Sequence, residues 1–396
     1  MNPDPNSVRT QYEQWPYPKP IEDLQSWLEN HWQWYDPSHA QMLLWPERHP
    51  RQQLEILIAG CGTYQAAVIA FNNPEARVLG IDVSQAAIRH HQTLKTNHKL
   101  DNLELKQLSI ADSNHLDQSF DLIIATGVLH HLEDPTAALR QLGNRLKADG
   151  CIGLMLYAHY GRIGVAILQQ MFSELHLDAN PDDLAVIEAC LKHADPLHPI
   201  RGYQSISSDL ATTAGLIDTF LPKREHTYTV ADCLKLVSDS SLQFQDWLFK
   251  NPYYPKTSGP TTDPFWSTIS KLAIEQQWGI MERLKTRNAC HFFMACKPER
   301  GLTTTTPPSP ADPNAVPVLR WPYHVHKGQL HRKGQIVRLS PHKQTLVTMI
   351  PKGLSIEALC TSYADKNPAE TVNALADLWR LDVIAIGRPV AARRGV

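Results

Sequence analysis

Two glycines and an aspartate have the types and spacing of a site that holds a ribose-bearing ligand. Gly60 and Gly62 follow the apolar run at 54–59, and Asp82 ends the next apolar run, 22 residues after Gly60. Glycine lets the chain turn sharply, and the turn brings backbone N–H groups and the positive end of the next helix close to a ligand. A carboxylate at this spacing can accept both hydroxyls of a ribose. The alternative is a tight structural turn in an ordinary α/β core.

Titratable and aromatic side chains follow two later apolar runs. His130 and His131 lie in the segment TGVLHHLEDP (126–135), and Tyr157 ends the run CIGLMLY (151–157). An imidazole titrates near neutrality, so either histidine could act as a general base; the alternative is that both only pack at the strand end. Tyr157, with the nearby group His159, Tyr160 and Arg162, could contact a substrate.

The N-terminal stretch and the end of a later segment contribute further candidates. Tyr12 and Tyr17 lie in the aromatic, proline-rich stretch QYEQWPYP (11–18) and could close a site. Such a stretch can otherwise be a purely structural wrap over another domain. Glu225, His226 and Tyr228 are weaker candidates for contact with substrate.

Apolar runs alternate with helical periods in a way that predicts the elements behind these residues. The predicted strands are 54–59, 76–82, 102–108, 119–126 and 151–157, and the predicted helices between them are 63–73, 84–98 and 134–147. This alternation favours a parallel, doubly wound sheet. Two later strands, at 242–249 and 289–298, would complete seven strands. The helical segment 160–228 would then be an insertion that shapes a substrate pocket.

The chain length predicts more than one domain. We expect an N-terminal aromatic wrap or lid at 1–50 and an α/β domain at 51–300 that includes the insertion. The segment 301–317 is rich in threonine and proline and reads as a linker. Residues 318–396 then form a small α+β accessory domain, for which three amphipathic helices after short β-like pieces favour a winged-helix type.

Composition and charge limit the classes of protein. The 396 residues are 42% hydrophobic and 20% charged with a net charge of −2, so no overall charge draws the chain to nucleic acid or a membrane. Seven scattered cysteines without a C-x-x-C pair suggest reduced thiols in a cytoplasmic protein. No apolar run is long enough to span a membrane, and no signal peptide, phosphate loop or metal-ligand motif is expected. The oligomeric state stays open.

Five segments in order resemble the class I S-adenosylmethionine-dependent methyltransferases. They are ILIAGCGT, VLGIDVS, QLSIAD, FDLIIATGVLHHLEDP and the segment ending LKADG, and together they cover about residues 54–158. The resemblance implies a Rossmann-like seven-stranded sheet with S-adenosyl-L-methionine as cofactor. Methyl transfer from a sulfonium is an in-line displacement, in which the protein mainly aligns the nucleophile and excludes water.

The resemblance also implies roles for individual positions. Asp82 would hold the ribose, and Thr126 and Gly127 would line the methionine moiety. Ser109 stands where many relatives carry an acid for the adenine, which leaves that contact to the backbone or to Asp112. Ala59 lacks the usual acid, and Tyr64 replaces a small residue. The implied cofactor-binding positions are Gly60, Cys61, Gly62, Gln65, Asp82, Val83, Ser109, Ile110, Thr126 and Gly127, and the candidate catalytic positions are His130, Tyr157 and Tyr17.

A finer resemblance concerns the acceptor. The segments at 11–18, 154–165 and 221–230, with the accessory domain, are similar to the cyanobacterial phycobiliprotein β-subunit asparagine methyltransferases. This implies a protein substrate. Two alternatives stay open: a small-molecule acceptor such as a quinone or another secondary metabolite, and a cofactor-binding regulatory protein without activity.

A basic stretch in the accessory domain bears on partners. From 313 to 354 the chain has seven lysines and arginines, four histidines and no acid. Such a patch can be a solvated face, a docking site for an acidic protein substrate, or a nucleic-acid contact, the least expected of the three.

Overall fold

The protein is described by a computed structural model over seven ranges of residues, namely 7–47, 51, 53–207, 209–255, 263–301, 312–362 and 367–387. Most of the predicted linker, 302–311, lies outside these ranges. Within them, no helix is long and apolar enough to cross a membrane.

Twelve strands are formed by the described residues. They are β1 Glu55–Ala59, β2 Arg77–Asp82, β3 Leu103–Gln107, β4 Phe120–Thr126, β5 Leu146–Tyr157, β6 Gln243–Trp247, β7 Cys290–Cys296, β8 Val316–Leu319, β9 Tyr323–His326, β10 Gln329–Arg332, β11 Gln335–Ile336 and β12 Ile384–Gly387.

Sixteen α-helices accompany them in the described ranges. They are α1 Ser7–Gln14, α2 Leu24–Leu28, α3 Pro37–Leu44, α4 Gln65–Asn72, α5 Gln85–His98, α6 Pro135–Asn144, α7 Ile163–Glu174, α8 Pro181–His193, α9 Ile200–Gln204, α10 Thr213–Phe220, α11 Val230–Asp239, α12 Pro264–Ile269, α13 Ile274–Leu284, α14 Pro341–Met349, α15 Ile356–Ser362 and α16 Pro368–Arg380.

The predicted seven-stranded sheet is confirmed. Its order is β3-β2-β1-β4-β5-β7-β6, and β1 to β5 run parallel while β7 is antiparallel to β5. The central strands are buried on both faces, as parallel sheets between helices require. The order reverses at β1 and β4, so the carboxyl ends of these two strands flank the crevice where ligands bind in such sheets.

One predicted boundary is wrong. The sequence predicts a helix over 134–147, whereas α6 ends at Asn144 and Leu146 already pairs with Phe120 in the sheet. The segment 146–150 belongs to β5, whose register shifts between Phe120 and Leu122. Sheet pairing overrides the helical propensity of this short polar segment, because strand preference depends on neighbours more than on residue type.

The insertion has an apolar core of its own. Helices α7, α8, α9 and α10 pack around side chains that include Phe172, Ile187, Ile200 and Phe220, each at most 2% exposed. The chain returns from the insertion through an isolated parallel bridge between Ala158 and Tyr228. The insertion is thereby joined to the carboxyl end of β5.

The chain divides into two compact units that are interleaved in sequence. The first consists of residues 1–33, 53–244 and 282–300, and the second of residues 34–52, 245–281 and 301–396. The domains predicted from the sequence, in contrast, run consecutively along the chain.

The accessory region has a core separate from the large sheet. Helices α14 to α16 pack with a three-stranded antiparallel sheet, β11-β10-β9, and the antiparallel pair β12-β8. Leu330, Leu346, Leu375 and Leu378 are fully buried in this core. The α+β content agrees with the sequence, and the winged-helix type stays a prediction.

We expect Glu282→Gln to change how stability depends on pH. Both carboxylate oxygens of Glu282 accept from the Val230 N–H at 3.1 Å, at the start of α11, and burial raises the pKa of Glu282 from 4.5 to about 7. Between these values the folded chain keeps a proton that the unfolded chain has lost, so this group makes stability fall as pH rises. Urea unfolding at pH 5 and pH 8 should show the glutamine variant gaining stability, relative to the parent, at the higher pH.

The exposed Glu188 in α8 offers the matched control, since Glu188→Gln should leave the pH dependence unchanged. If the free energy of unfolding depends on pH in the same way for the parent and for Glu282→Gln, Glu282 is charged in the folded state at neutral pH.

Candidate active site

The turn between β1 and α4 needs its glycines. Gly60 and Gly62 have φ of +75° and +55°, a region that other L-residues rarely adopt. A Cβ atom on Gly60 would lie 2.2 Å from Cγ1 of Val128, which follows β4. The two glycines therefore let the ends of β1 and β4 approach each other at the switch point of the sheet.

The backbone N–H groups of this turn are bonded within the protein. Gly60 and Cys61 both donate to the Ile81 carbonyl, at 2.9 and 3.0 Å, and Gly62 donates to Oδ2 of Asp82 at 2.8 Å. This differs from the expectation that these N–H groups would face a ligand. The turn instead orients the Asp82 carboxylate at the end of β2.

Asp82 is a half-buried carboxylate with room for further hydrogen bonds. Its Oδ2 accepts from Gly62 and its Oδ1 accepts from the Ser84 N–H at 2.9 Å. Burial raises the pKa of Asp82, and these backbone donors act against that shift. Two carboxylate oxygens offer about four acceptor sites, so the backbone donors leave acceptor capacity for a ribose hydroxyl.

The side chains predicted to surround an adenine have defined partners. The Val83 carbonyl accepts from Nε2 of Gln107 at 3.1 Å, and Oγ of Ser109 accepts from the Ala111 N–H at 3.2 Å. Ser109 thus begins the short 3-10 turn that follows β3, and Ile110 in that turn is 6% exposed. Asp112 is exposed to solvent.

A chain of amides links the end of β4 to the N-terminal segment. Oγ1 of Thr126 donates to Oε1 of Gln65 at 3.1 Å, and Nε2 of Gln65 donates to Oε1 of Gln33 at 2.8 Å. Gly127 has a φ of +75° and is, after Gly60 and Gly62, the third glycine of this region in a conformation that other L-residues rarely adopt. Gln33 was not predicted from the sequence, because no motif surrounds it.

These residues fit S-adenosylmethionine. A carboxylate beside a glycine turn suits the ribose, and the amides of Gln33, Gln65 and the hydroxyl of Thr126 suit the polar end of the methionine moiety. The fit rests on the orientation of Asp82 by Gly62 and on the glycine conformations of the turn.

The N-terminal segment covers the glycine turn. A Cβ on Gly62 would lie 3.0 Å from Cδ of Pro18 and 3.3 Å from the Tyr17 carbonyl oxygen, and Oγ1 of Thr63 donates to the Pro18 carbonyl at 2.7 Å. The Glu13 carboxylate accepts from backbone N–H groups at the start of α5. Residues 12–18 therefore close over the turn.

Tyr64 belongs to the same cover. Its ring packs on Trp27, with ring centroids 5.1 Å apart, and burial raises the pKa of Tyr64 to about 12. The position that departs from the family pattern is thus used to hold the N-terminal segment.

We expect Thr63→Val to loosen this cover. The change keeps the shape of a side chain that is 1% exposed and removes its bond to Pro18. The loss of one hydrogen bond, about 1 kcal/mol, should speed amide hydrogen exchange in residues 12–18 roughly fivefold. Thr96→Val is the matched control, because Thr96 bonds only within α5. Equal protection in both variants would contradict the proposed anchor.

A polar cluster lies where the N-terminal segment, β4, β5 and the insertion meet. We use this name for the side chains of Tyr12, Tyr17, His130, Tyr157, Arg162, Asp209, Asp218 and Glu225. Its centre is Asp218 in α10, which is 3% exposed. The Tyr12 hydroxyl donates to Oδ1 of Asp218 at 2.8 Å, and the Tyr157 hydroxyl donates to Oδ2 at 3.1 Å.

Tyr157 is fixed on both faces. The His130 ring stacks on one side with centroids 3.9 Å apart, and the Arg162 guanidinium lies 3.7 Å from the ring centroid. Arg162 is 1% exposed; it donates to Glu225 Oε1 and Oε2 at 3.2 and 2.9 Å, and to the Tyr203 hydroxyl at 3.0 Å. Arg162 therefore holds Tyr157 in place and does not face open solvent.

His130 contributes a buried imidazole to the cluster. Both ring nitrogens lack a hydrogen bond among the described residues, although the side chain is completely buried. Burial is the main cause that lowers the pKa of His130 well below its ordinary value, so the ring is neutral at pH 7. The neighbouring His131, in contrast, bonds the Arg224 carbonyl through Nδ1 at 2.8 Å.

Tyr17 and Asp209 connect the cluster to the glycine turn. The Tyr17 side chain bonds Asp209, and burial, followed by the charge of Asp218, raises the pKa of Tyr17 above its ordinary value. The charge of Asp209 also raises the pKa of Tyr64, and that of Asp82 raises the pKa of Tyr12. The cluster is thus continuous with the predicted cofactor site.

Asp209 and Asp218 were missed by sequence reasoning. Asp218 interrupts the apolar run GLIDTF (215–220), all of which is buried, and a charged residue at a core position of a helix is the signal that could have found it. Asp209 begins a short 3-10 helix, Asp209–Ala211, and no sequence motif surrounds it.

Other predicted residues lie outside the cluster. His159 and His226 are exposed, and Nδ1 of His159 lies 3.1 Å from Oγ1 of Thr227. Tyr228 pairs its backbone with Tyr157 and with β7 through the His291 ring. The structure gives these three positions a role at the join of the insertion.

Residues 57–152 match the profile of a methyltransferase domain family. The chain is similar to an uncharacterized protein of Synechococcus, with 31% identity over 44% of this chain and 42% of that protein. It is also similar to the malonyl-[acyl-carrier protein] O-methyltransferase of Acetivibrio thermocellus, with 28% identity over 32% of this chain and 40% of that enzyme. The chain thus spans less than half the length of these relatives.

A solved structure shares the fold of nearly the whole chain. The structure of PKMT2 from Rickettsia typhi in complex with AdoHcy covers 94% of this chain and 77% of its own, with a TM-score of 0.67 and 13% identity. The glycine turn and the acid at the end of β2 lie within residues 57–152, the part of the chain that matches the methyltransferase domain family. The family match and the shared fold together support a methyltransferase domain that includes residues 57–152.

Proposed function

We propose that the whole chain is an S-adenosylmethionine-dependent methyltransferase. The observation that carries the proposal is the position of Asp82, which the Gly62 N–H holds at 2.8 Å beside the turn. The polar cluster lies next to that turn through Tyr17 and supplies groups that can bind an acceptor. Together they make a cofactor site and an acceptor site that adjoin.

The cofactor, when bound, supplies an electrophilic methyl group on a sulfonium. Asp82 would bind the ribose hydroxyls, Val83 and Ile110 would flank the adenine, and Thr126 with Gln65 would bind the methionine end. Residues 12–18 exclude water from the site. Alignment of this kind contributes about 7–11 kcal/mol to catalysis in the best cases.

For the acceptor, we propose a protein side chain. The finer sequence resemblance and the accessory region support a protein target. Within this class of acceptor, the finer sequence resemblance points to an asparagine amide of a phycobiliprotein β-subunit, and the charges of the polar cluster provide an independent argument about the acceptor group.

A small-molecule acceptor is the second candidate, and one observation favours it. Tyr157, Asp218 and His130 are at most 8% exposed in the folded chain. A closed cluster suits a small acceptor, whereas a protein side chain requires the segment to open. The anchor formed by Thr63 and Pro18 sets how easily that happens.

The basic stretch of the accessory region is partly neutralised. Nη1 of Arg320 bonds Asp382 at 2.5 Å, and Nζ of Lys343 bonds Asp377 at 2.8 Å. Lys327 and Arg332 are exposed around the turns of the small sheet formed by β9 to β11. We propose that this part of the stretch docks an acidic protein substrate.

Two experiments test the proposal in order. Calorimetric titration of S-adenosylmethionine into the full chain should give saturable binding at sub-millimolar cofactor. Intact-mass analysis of a host lysate should then reveal acceptors that gain 14 Da per methyl only when the chain is added. Cofactor binding without methyl transfer would favour a regulatory protein without activity. Absence of cofactor binding would contradict both proposed methyltransferase functions.

A further inference from the structure

The polar cluster holds more negative than positive charge. Asp209, Asp218 and Glu225 are acids. Burial raises the pKa of Asp209, and the charge of Arg162 acts against this shift. Glu225 accepts two hydrogen bonds from one guanidinium nitrogen of Arg162. Glu225 is therefore the acid whose charge this cation balances. Asp209 and Asp218 are left without a cationic partner in the cluster.

Hydrogen bonds from tyrosines do not neutralise Asp218. The two hydroxyls that bond it carry no charge, because burial and the charge of Asp218 hold the pKa of Tyr12 and of Tyr157 well above 10. A buried carboxylate without a cation is costly unless a ligand completes its environment. Each oxygen of Asp218 retains an acceptor site for such a ligand.

His130 is a second, independent sign of a missing ligand. Its two ring nitrogens are buried without partners among the described residues, against the ring that bonds Asp218. Leaving a buried polar group without a hydrogen bond costs about 1–3 kcal/mol. A ligand that supplies the missing partners would therefore bind more tightly. Tyrosine rings around the site would further attract a cation.

We propose that the acceptor is an aliphatic amine, which enters as an ammonium ion bound between Asp218 and Asp209. This inference rests on the proposed methyltransferase function and names the substrate class of the same site. It favours an amine over the amide, hydroxyl or carboxyl group that the same fold could methylate, because only the ammonium balances the two acids.

Proton loss from the acceptor precedes methyl transfer. The ammonium loses one proton to the half-exposed Asp209 carboxylate, which passes it to solvent. The nitrogen lone pair then forms the new N–C bond to the methyl group of S-adenosylmethionine. The S–C bond breaks with its electron pair remaining on sulfur, which becomes a neutral thioether, and the positive charge ends on the methylated nitrogen.

The first test compares amines with neutral analogues on the full chain saturated with S-adenosylhomocysteine. Calorimetry would use cadaverine against 1,5-pentanediol, and N-acetyl-lysine methylamide against N-acetyl-norleucine methylamide. We expect each preferred amine to bind at least tenfold more tightly than its analogue. Preference for the lysine derivative would indicate an amine on a protein, and preference for cadaverine a free amine.

The second test removes the charges. Asp218→Asn and Asp209→Asn should each weaken amine binding at least tenfold while S-adenosylhomocysteine binding is retained. Asp182→Asn, which removes an exposed acid of α8 in the same insertion, should change neither. If Asp218→Asn fails to fold, the amine affinity of Asp209→Asn tests the proposal. Unchanged amine affinity in that variant would overturn it.

The outcomes separate the two proposals. S-adenosylhomocysteine binding without any preference for amines would overturn the amine assignment and leave the methyltransferase function standing. Transfer of the methyl group from S-adenosylmethionine to an amide or hydroxyl, with amines ignored, would also overturn it. Failure of S-adenosylhomocysteine to bind the parent chain would instead count against the proposed function.

Discussion

Asp82→Ala is expected to weaken the binding of S-adenosylmethionine roughly a hundredfold while the fold is kept, since two hydrogen bonds to a charged group are lost. The carboxylate already accepts from Gly62 and Ser84, so it is oriented before the ligand arrives. Equilibrium dialysis with labelled cofactor measures the affinity, and circular dichroism checks the fold.

Two further variants sharpen this test. Asp82→Asn keeps an oxygen for the Gly62 N–H but loses the charge and one acceptor, so its affinity should lie between the two extremes. Asp112→Ala changes the exposed acid that the sequence left as an alternative contact, and it should bind like the parent. Unchanged affinity in Asp82→Ala would mean that the ribose site lies elsewhere.

Arg162→Met should cost about 3–5 kcal/mol of unfolding free energy, because it leaves a buried carboxylate unpaired. The side chains of Arg162 and Glu225 are 1% and 6% exposed, and the guanidinium also packs on Tyr157. Burial already raises the pKa of Glu225, so without Arg162 this group can take up a proton below neutral pH. The cost should therefore be smaller at pH 5 than at pH 8 in urea unfolding.

Two comparisons control for a general effect of the substitution. The double variant with Glu225→Met should recover part of the loss, since a buried ion pair can often be replaced by apolar side chains. Lys223→Met breaks an exposed pair whose side chains are 48% and 71% exposed, and it should cost less than about 1 kcal/mol. A loss in Arg162→Met no larger than in Lys223→Met would show that the buried pair contributes little.

The sheet and the cofactor turn could be predicted because their signals are local. Each of the seven strands lies within two residues of the apolar run that predicted it, apart from the early start of β5 at Leu146. The glycines follow β1 and Asp82 ends the neighbouring strand β2, so their spacing in the sequence predicts that they lie close together in the structure.

The polar cluster could be predicted only in part, because its partners are distant in sequence. Tyr12 meets Asp218 across 206 positions, and Tyr157 meets it across 61. His130, Tyr157 and Tyr17 were selected as candidates near strand ends or in the N-terminal cover, and they lie in the cluster as neighbours. The acids that join them come from the insertion, whose tertiary packing alone brings them to the site.

A crystal structure of the full chain grown with S-adenosylhomocysteine tests the central claim most directly. The account predicts the ribose hydroxyls on the Asp82 carboxylate, the adenine beside Val83 and Ile110, and the sulfur atom facing Tyr157 and Asp218. Nucleoside bound away from Asp82, or crystals free of it at millimolar concentration, would contradict the account.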